Sequence, residues 1–109
     1  RAAPALEDPR WRPASLADSG PPPRRADLLV DLMAAVGRRY AAWVAGDVDG
    51  VLAAFAERDA LAGRGVAVST AGEEVTGTCA GTDRLGRLRV MTAAGERLLG
   101  AGEVVRVTG

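Results

Sequence analysis

The segment that decides the fold is residues 63–92, which read GRGVAVSTAGEEVTGTCAGTDRLGRLRVMT. Apolar residues in this segment alternate with small or polar residues, which is the period of a β-strand that buries one face. The alternating pairs are Val66 and Val68, Val75 and Cys79, Leu88 and Val90, and, near the end of the chain, Val105 and Val107. This pattern predicts four or five short strands.

Short glycine-containing segments separate the predicted strands. Ala71-Gly72, Asp83-Arg84-Leu85-Gly86 and Ala93-Ala94-Gly95 have the lengths and residue types of tight hairpin turns. Short strands joined by such turns, in fewer than fifty residues, are typical of a small SH3-like β-barrel. We therefore predict an SH3-like barrel over residues 63–109.

The preceding residues have the periodicity of helices. Apolar residues recur there at spacings of three and four, at Leu28, Leu29, Leu32, Met33, Val36, Tyr40 and Trp43. This stripe predicts an amphipathic helix at about 27–45, with Gly46 at its C-terminus. Asp47 or Asp49 can cap a second helix at about 49–61. We expect Trp43 to lie in a core or to pack against another domain.

The first 25 residues contain all six prolines of the chain, which favours an irregular segment. Trp11 stands alone among prolines and arginines, and we expect it to dock on a surface outside this segment. The chain as a whole is expected to be an α+β protein, with helices in residues 1–62 and the barrel in residues 63–109.

Composition excludes several kinds of site. The chain contains no histidine, so it has neither a Ser-His-Asp nor a Cys-His nucleophile, and no metal site built on imidazole. Its one cysteine, Cys79, is expected to be buried as a small apolar residue. Residues 81–86 have the glycine spacing of a phosphate-binding P-loop, but Arg87 and Leu88 replace the required lysine and hydroxyl residue. We predict no catalytic residue and no metal ligand in this chain.

Charge and hydropathy indicate which partners and which cellular compartment the sequence favours. The 14 basic residues, all of them arginine, balance 14 acidic residues, so no basic face for nucleic acid is expected. The chain has no apolar run of about 20 residues, so no membrane span is expected, and the single cysteine fits a reducing compartment. We expect a cytoplasmic protein.

Three pieces of the sequence, taken in order, resemble the C-terminal end of bacterial biotin protein ligases. They are DALAGRGVAV at 59–68, GTCAGTDRLGRL at 77–88 and GEV at 102–104. Upstream, ASLAD at 14–18 is similar to the segment that follows the last strand of the family's catalytic domain. The predicted helix pair matches the helices before the family's barrel, so the resemblance extends from about residue 13 to the end.

The resemblance implies an activity for a longer parent enzyme. Biotin–acetyl-CoA-carboxylase ligases join biotin to ATP, with magnesium, to give biotinyl-5′-AMP and pyrophosphate, and then transfer biotin to a lysine of a carrier domain. The family's catalytic motifs, a Gly-Arg-Gly-Arg loop and a Lys-Trp-Pro-Asn-Asp strand, do not occur in this chain. The segment alone is therefore expected to be inactive and to bind no cofactor, with ATP and biotin as substrates of the full-length enzyme.

The resemblance also implies a role for each part of the chain. Residues 1–62 would end the catalytic domain, and residues 63–109 would form the C-terminal domain, which supports nucleotide affinity and engagement of the acceptor. Arg64 and Glu74 match family positions and are the expected binding residues. The expected partners are the biotin carboxyl carrier protein and the protein's own upstream catalytic domain, without membrane or nucleic acid.

A second hypothesis is a free-standing SH3-like module that binds protein or RNA without catalysis. Grooves for proline-rich peptides and single-stranded RNA depend on exposed aromatic residues, and the chain has none from Gly63 onward. The sequence therefore favours the ligase hypothesis.

Overall fold

The computed structural model describes residues 12–109, which contain helices followed by an antiparallel sheet. The elements are a 3-10 helix at Leu16–Ser19, α1 at Arg25–Val44, α2 at Val48–Ala56, β1 at Gly65–Thr70, β2 at Glu73–Thr82, β3 at Leu88–Thr92, β4 at Gly95–Leu99 and β5 at Glu103–Thr108. The predicted α+β class is confirmed. Trp11 and its expected docking lie outside the described residues.

The described chain divides after Ala41 into two compact units, so the last turn of α1 belongs with the second unit. The boundary that we expect between residues 62 and 63 concerns the domains of a longer parent and stays a prediction.

The first helix ends as the sequence predicts, but its apolar stripe is not buried. Gly46 adopts a φ of 83°, the left-handed conformation that closes many helices. The N–H of Asp47 donates to the Ala42 carbonyl oxygen at 2.9 Å. Trp43 is 62% exposed, so the expectation that it lies in a core of this chain is wrong. Packing of Trp43 against another domain stays a prediction.

The second helix begins as predicted and ends early. Asp47 caps it by accepting a hydrogen bond from the Gly50 N–H at 3.0 Å. The helix ends at Ala56, not near residue 61. The Arg58 N–H donates to the Phe55 carbonyl oxygen at 3.0 Å, and the Asp59 carboxylate accepts a hydrogen bond from the Leu61 N–H at 2.9 Å, so neither donor continues the helical pairing. Gly63 lies in a later turn, with a φ of 81°.

Five antiparallel strands form one sheet in the order β4-β3-β2-β1-β5. The predicted hairpin turns are present, and Ala71 and Gly72 take the positive φ values, 47° and 80°, of a two-residue hairpin turn. β4 and β5 are the edges of the sheet, which is not closed. The SH3-like barrel therefore stays a prediction.

The core lies on one face of this sheet. Its buried members are Val66, Val68, Val75, Cys79, Val90 and Leu99, and the partly buried Leu61, Leu88, Val104 and Val107 pack against them. Cys79 is 1% exposed, which confirms its expected burial. The pairing of β1 with β5 shifts by one residue between Ala67 and Val68. Because of this bulge Val104, and not the predicted Val105, joins Val107 against the core.

None of the helices in residues 12–109 combines the length and the hydropathy that crossing a membrane requires.

Candidate functional site

Arg64 lies at the entry to β1, in the turn that joins α2 to the sheet. Its backbone is fixed, because its N–H donates to the Leu61 carbonyl oxygen at 2.9 Å and its own carbonyl oxygen accepts from the Cys79 N–H at 2.9 Å. Its side chain is exposed. A guanidinium held at the surface by a fixed backbone can contact an anionic ligand or partner.

Glu74 lies at the start of β2 and takes part in a cross-strand ion pair. The Arg106 Nη2 atom donates to the Glu74 Oε1 atom at 3.1 Å. Arg106 is paired with Ala67 of β1, and Glu74 is paired with Ser69, so this ion pair crosses β1. Ala67 is only 1% exposed although it faces away from the core valines, which is consistent with cover by this ion pair. About half of each charged side chain remains exposed.

The structure does not bring Arg64 and Glu74 together. Arg64 precedes Gly65 at one end of the hairpin of β1 and β2, whereas Glu74 pairs with Ser69 near the other end. Five residues of strand separate the two levels, which is roughly 16 Å. The two residues can touch different parts of a large partner, but they cannot form one small-molecule site.

The turn between β2 and β3 holds a hydrogen-bonded polar cluster around Asp83. Asp83 Oδ1 accepts hydrogen bonds from the Leu85 N–H at 3.0 Å and the Arg87 N–H at 2.8 Å. Asp83 Oδ2 accepts one from the Arg87 Nε–H at 2.7 Å. Loss of water around the carboxylate raises the pKa of Asp83, but the hydrogen bonds and charge of Arg87 and the bond from Leu85 outweigh it. The pKa of Asp83 is therefore below its ordinary value.

A second ion pair joins β3 to β4 on the face of the sheet away from the core. Arg89 Nη2 donates to the Glu96 Oε2 atom at 3.0 Å, and its Nη1 donates to the Ala80 carbonyl oxygen at 3.3 Å. The hydrogen bond and charge of Glu96 raise the pKa of Arg89. This arginine is committed to the sheet and is not available for a ligand without losing these bonds.

An open groove lies on the core side, between the end of β4 and the start of β5. Its volume is about 180 Å³, and its walls are the side chains of Val68, Leu88, Leu99 and Val104 with the loop Gly100–Gly102 and Gly86. The groove is therefore apolar along its walls and backbone-lined at the loop.

Within residues 12–109 no three acidic or cysteine side chains cluster as metal ligands would. Two arginines of these ion pairs were not predicted as site residues, Arg106 beside Glu74 and Arg87 beside Asp83. An arginine directly after an Asp-x-x-Gly turn was a usable signal for Arg87. Arg106 had no such signal, because its position depends on the pairing of β5 with β1, which are far apart in sequence.

Comparisons of the chain with protein-family models, with curated proteins and with solved structures matched none of them.

Proposed function

We propose that this chain is the C-terminal part of a biotin protein ligase. In the full-length enzyme biotin would be activated with ATP to biotinyl-5′-AMP and transferred to a lysine of a carboxylase carrier domain. This C-terminal segment would support nucleotide affinity and acceptor engagement, with residues 63–109 as an SH3-like domain. It would act in the cytoplasm.

The observation that carries the proposal is where the three resembling pieces fall in the fold. The Gly63-Arg64 pair stands at the entry to β1, Asp83 and Gly86 form the turn between β2 and β3, and Gly102-Glu103 begins β5. Each piece therefore occupies a strand boundary, where turn residues set the geometry of a small β-domain. The order of two helices followed by five antiparallel strands supports the same proposal.

The exposed apolar stripe of α1 gives the proposal further support. Leu29, Leu32 and Val36 are each more than half exposed, an arrangement that soluble proteins usually cover. An adjoining catalytic domain would supply that cover. A free-standing module would leave the stripe in water.

The test uses the gene product that contains this chain. Its reading frame upstream of Arg1 should encode the Gly-Arg-Gly-Arg and Lys-Trp-Pro-Asn-Asp motifs. The full-length protein should form biotinyl-5′-AMP and biotinylate a carrier domain, while residues 1–109 alone form none. A full-length product without adenylating activity would refute the proposal.

Paired variants test the two residues assigned to binding. Arg64→Gln should raise the KM for ATP or for the carrier several-fold, whereas Arg58→Gln, which removes another exposed arginine, should not. Glu74→Gln is matched by Glu73→Gln, because each glutamate makes one ion pair, with Arg106 and Arg97 respectively. If the two variants of each matched pair changed the KM equally, Arg64 and Glu74 would not be binding residues.

A further inference from the structure

The groove between the end of β4 and the start of β5 offers an apolar cavity, unpaired backbone donors and a sheet edge at one place. We propose that it binds the C-terminal residue of an extended peptide, with an aliphatic side chain in the groove and the terminal carboxylate at the loop Gly100–Gly102. This site is separate from Arg64 and Glu74 and does not depend on the ligase assignment.

The size and lining of the groove suit one aliphatic side chain. Its volume is about 180 Å³, and its side-chain walls are the inward-facing Val68, Leu88, Leu99 and Val104. An apolar cavity of about 150 Å³ is enough to hold one benzene ring. A leucine, isoleucine or valine side chain would therefore fit, and it would remove from water the parts of Leu88 and Val104 that are still exposed, since Val68 and Leu99 are already buried.

The loop at the end of the groove can bind an anion through its backbone. In the described chain, its one hydrogen bond is that donated by the Thr70 hydroxyl to the Ala101 carbonyl oxygen at 2.8 Å. The N–H groups of Gly100, Ala101 and Gly102 thus remain available as donors. Successive backbone N–H groups in a loop form concave sites for carboxylates and phosphates.

Arg87 adds positive charge beside the loop. A Cβ atom on Gly100 would lie 3.9 Å from the Arg87 Cγ atom, so the arginine stem runs alongside the loop. Its Nε–H is bonded to Asp83, but no acceptor for its two Nη groups occurs within residues 12–109. Three hydrogen bonds already compensate the negative charge of the Asp83 carboxylate. The Nη groups of Arg87 can therefore donate to a second carboxylate.

The position of β5 favours a peptide over a free small acid. β5 is an edge strand, and it begins directly after the loop at Glu103. A peptide whose carboxylate lies at the loop would therefore run antiparallel to β5 and could add main-chain hydrogen bonds along that edge. Glu103 alternates with Val104, so its carboxylate points to the face away from the groove.

The test is a titration of the 109-residue chain followed by amide chemical shifts in nuclear magnetic resonance. The probe is an acetylated pentapeptide that ends in leucine with a free carboxylate. We expect saturable shifts at Gly100, Ala101 and Gly102. The same peptide with a C-terminal amide should bind at least tenfold more weakly, because it lacks the charge that the loop and Arg87 would meet.

Two further experiments test the role of Arg87 and the kind of ligand that the groove binds. Arg87→Gln should weaken binding of the free-acid peptide about tenfold, while Arg84→Gln, which removes a neighbouring arginine paired with Asp49, should leave it unchanged. Equal binding of acid and amide peptides, or no saturable shift, would overturn the proposal. Hexanoate binding as tightly as the peptide would also overturn it, since a small acid would then be the ligand.

Discussion

Gly77 is the position where the closest packing of the sheet can be tested by one added methyl group. A Cβ atom built on Gly77 would lie 2.3 Å from the Met91 carbonyl oxygen and 2.9 Å from the Met91 carbonyl carbon. Both atoms belong to the backbone, so no side-chain rotation can relieve the contact. The glycine is therefore required by the approach of β3 to β2, and not by its own φ.

The size of the effect follows from these distances. Ordinary contact begins at 3.4 Å, so the Met91 oxygen must move by about 1.1 Å, the difference between 3.4 and 2.3 Å. Overpacking of this kind costs about 1–3 kcal/mol. Alanine also lowers the conformational entropy of the unfolded chain, which offsets about 0.4–1 kcal/mol of this cost. Gly77→Ala should therefore lower the free energy of unfolding by a net ~1–2 kcal/mol.

The assay is urea unfolding followed by far-ultraviolet circular dichroism, with Gly100→Ala as the matched control. Gly100 has no positive φ, and an added Cβ would meet only the Arg87 Cγ atom at 3.9 Å. The control should therefore be equal to the wild type or more stable by up to about 1 kcal/mol. With a slope of about 1 kcal/mol per molar urea, Gly77→Ala should lower the midpoint by ~1 M or more. Equal midpoints for the two variants would refute the close approach of β2 and β3.

Three further perturbations address the cap, the acidic turn and the core. Asp47→Ala removes the hydrogen bond that the Gly50 N–H donates and should cost about 0.5–2 kcal/mol of unfolding free energy, measured by urea unfolding. Asp49→Ala leaves this cap in place and removes an acid from the first turn of α2 together with its exposed ion pair to Arg84, so it should cost less. Because the pKa of Asp83 is lowered from 3.8, its contribution to stability is present above that value and is lost as the pH falls through the lowered pKa. In the Asp83→Asn variant the urea midpoint should therefore depend less on pH in the acid range than it does in the wild type. An unchanged pH dependence would contradict the stabilising role of the Asp83 carboxylate. Val90 is 0% exposed, so Val90→Ala should lower the free energy of unfolding by about 1–3 kcal/mol. Val30 is 67% exposed, so Val30→Ala should change the free energy of unfolding by less than about 0.5 kcal/mol.

Local patterns predicted the elements of this protein well where the relevant interaction lies within a few residues. The cap at Asp47, the left-handed Gly46 and the turn at Asp83 each depend on contacts no more than five residues apart. The end of α2 was missed because the turn bonds of Arg58 and Asp59 replace helical pairing, a local effect that apolar periodicity does not report.

The functional residues were less predictable, because their surroundings depend on strand pairing. The sequence predicted Arg64 and Glu74 as binding residues, but it did not show how far apart they lie along the hairpin of β1 and β2. The groove beside Gly100–Gly102 could not be predicted, since it is formed by residues from β1, β3, β4 and β5.

By itself the sequence determined the α+β class, the presence of four or five short strands, the hairpin turns and the burial of Cys79, because each follows from periodicity or from the φ preferences of single residues. The tertiary structure alone decided that β5 pairs with β1, and with it the bulge that turns Val104 inward. It also decided the partner of Glu74 and the open groove. Pairing between strands some forty residues apart depends on which faces bury the most apolar surface together, and that choice is made only when the whole sheet forms.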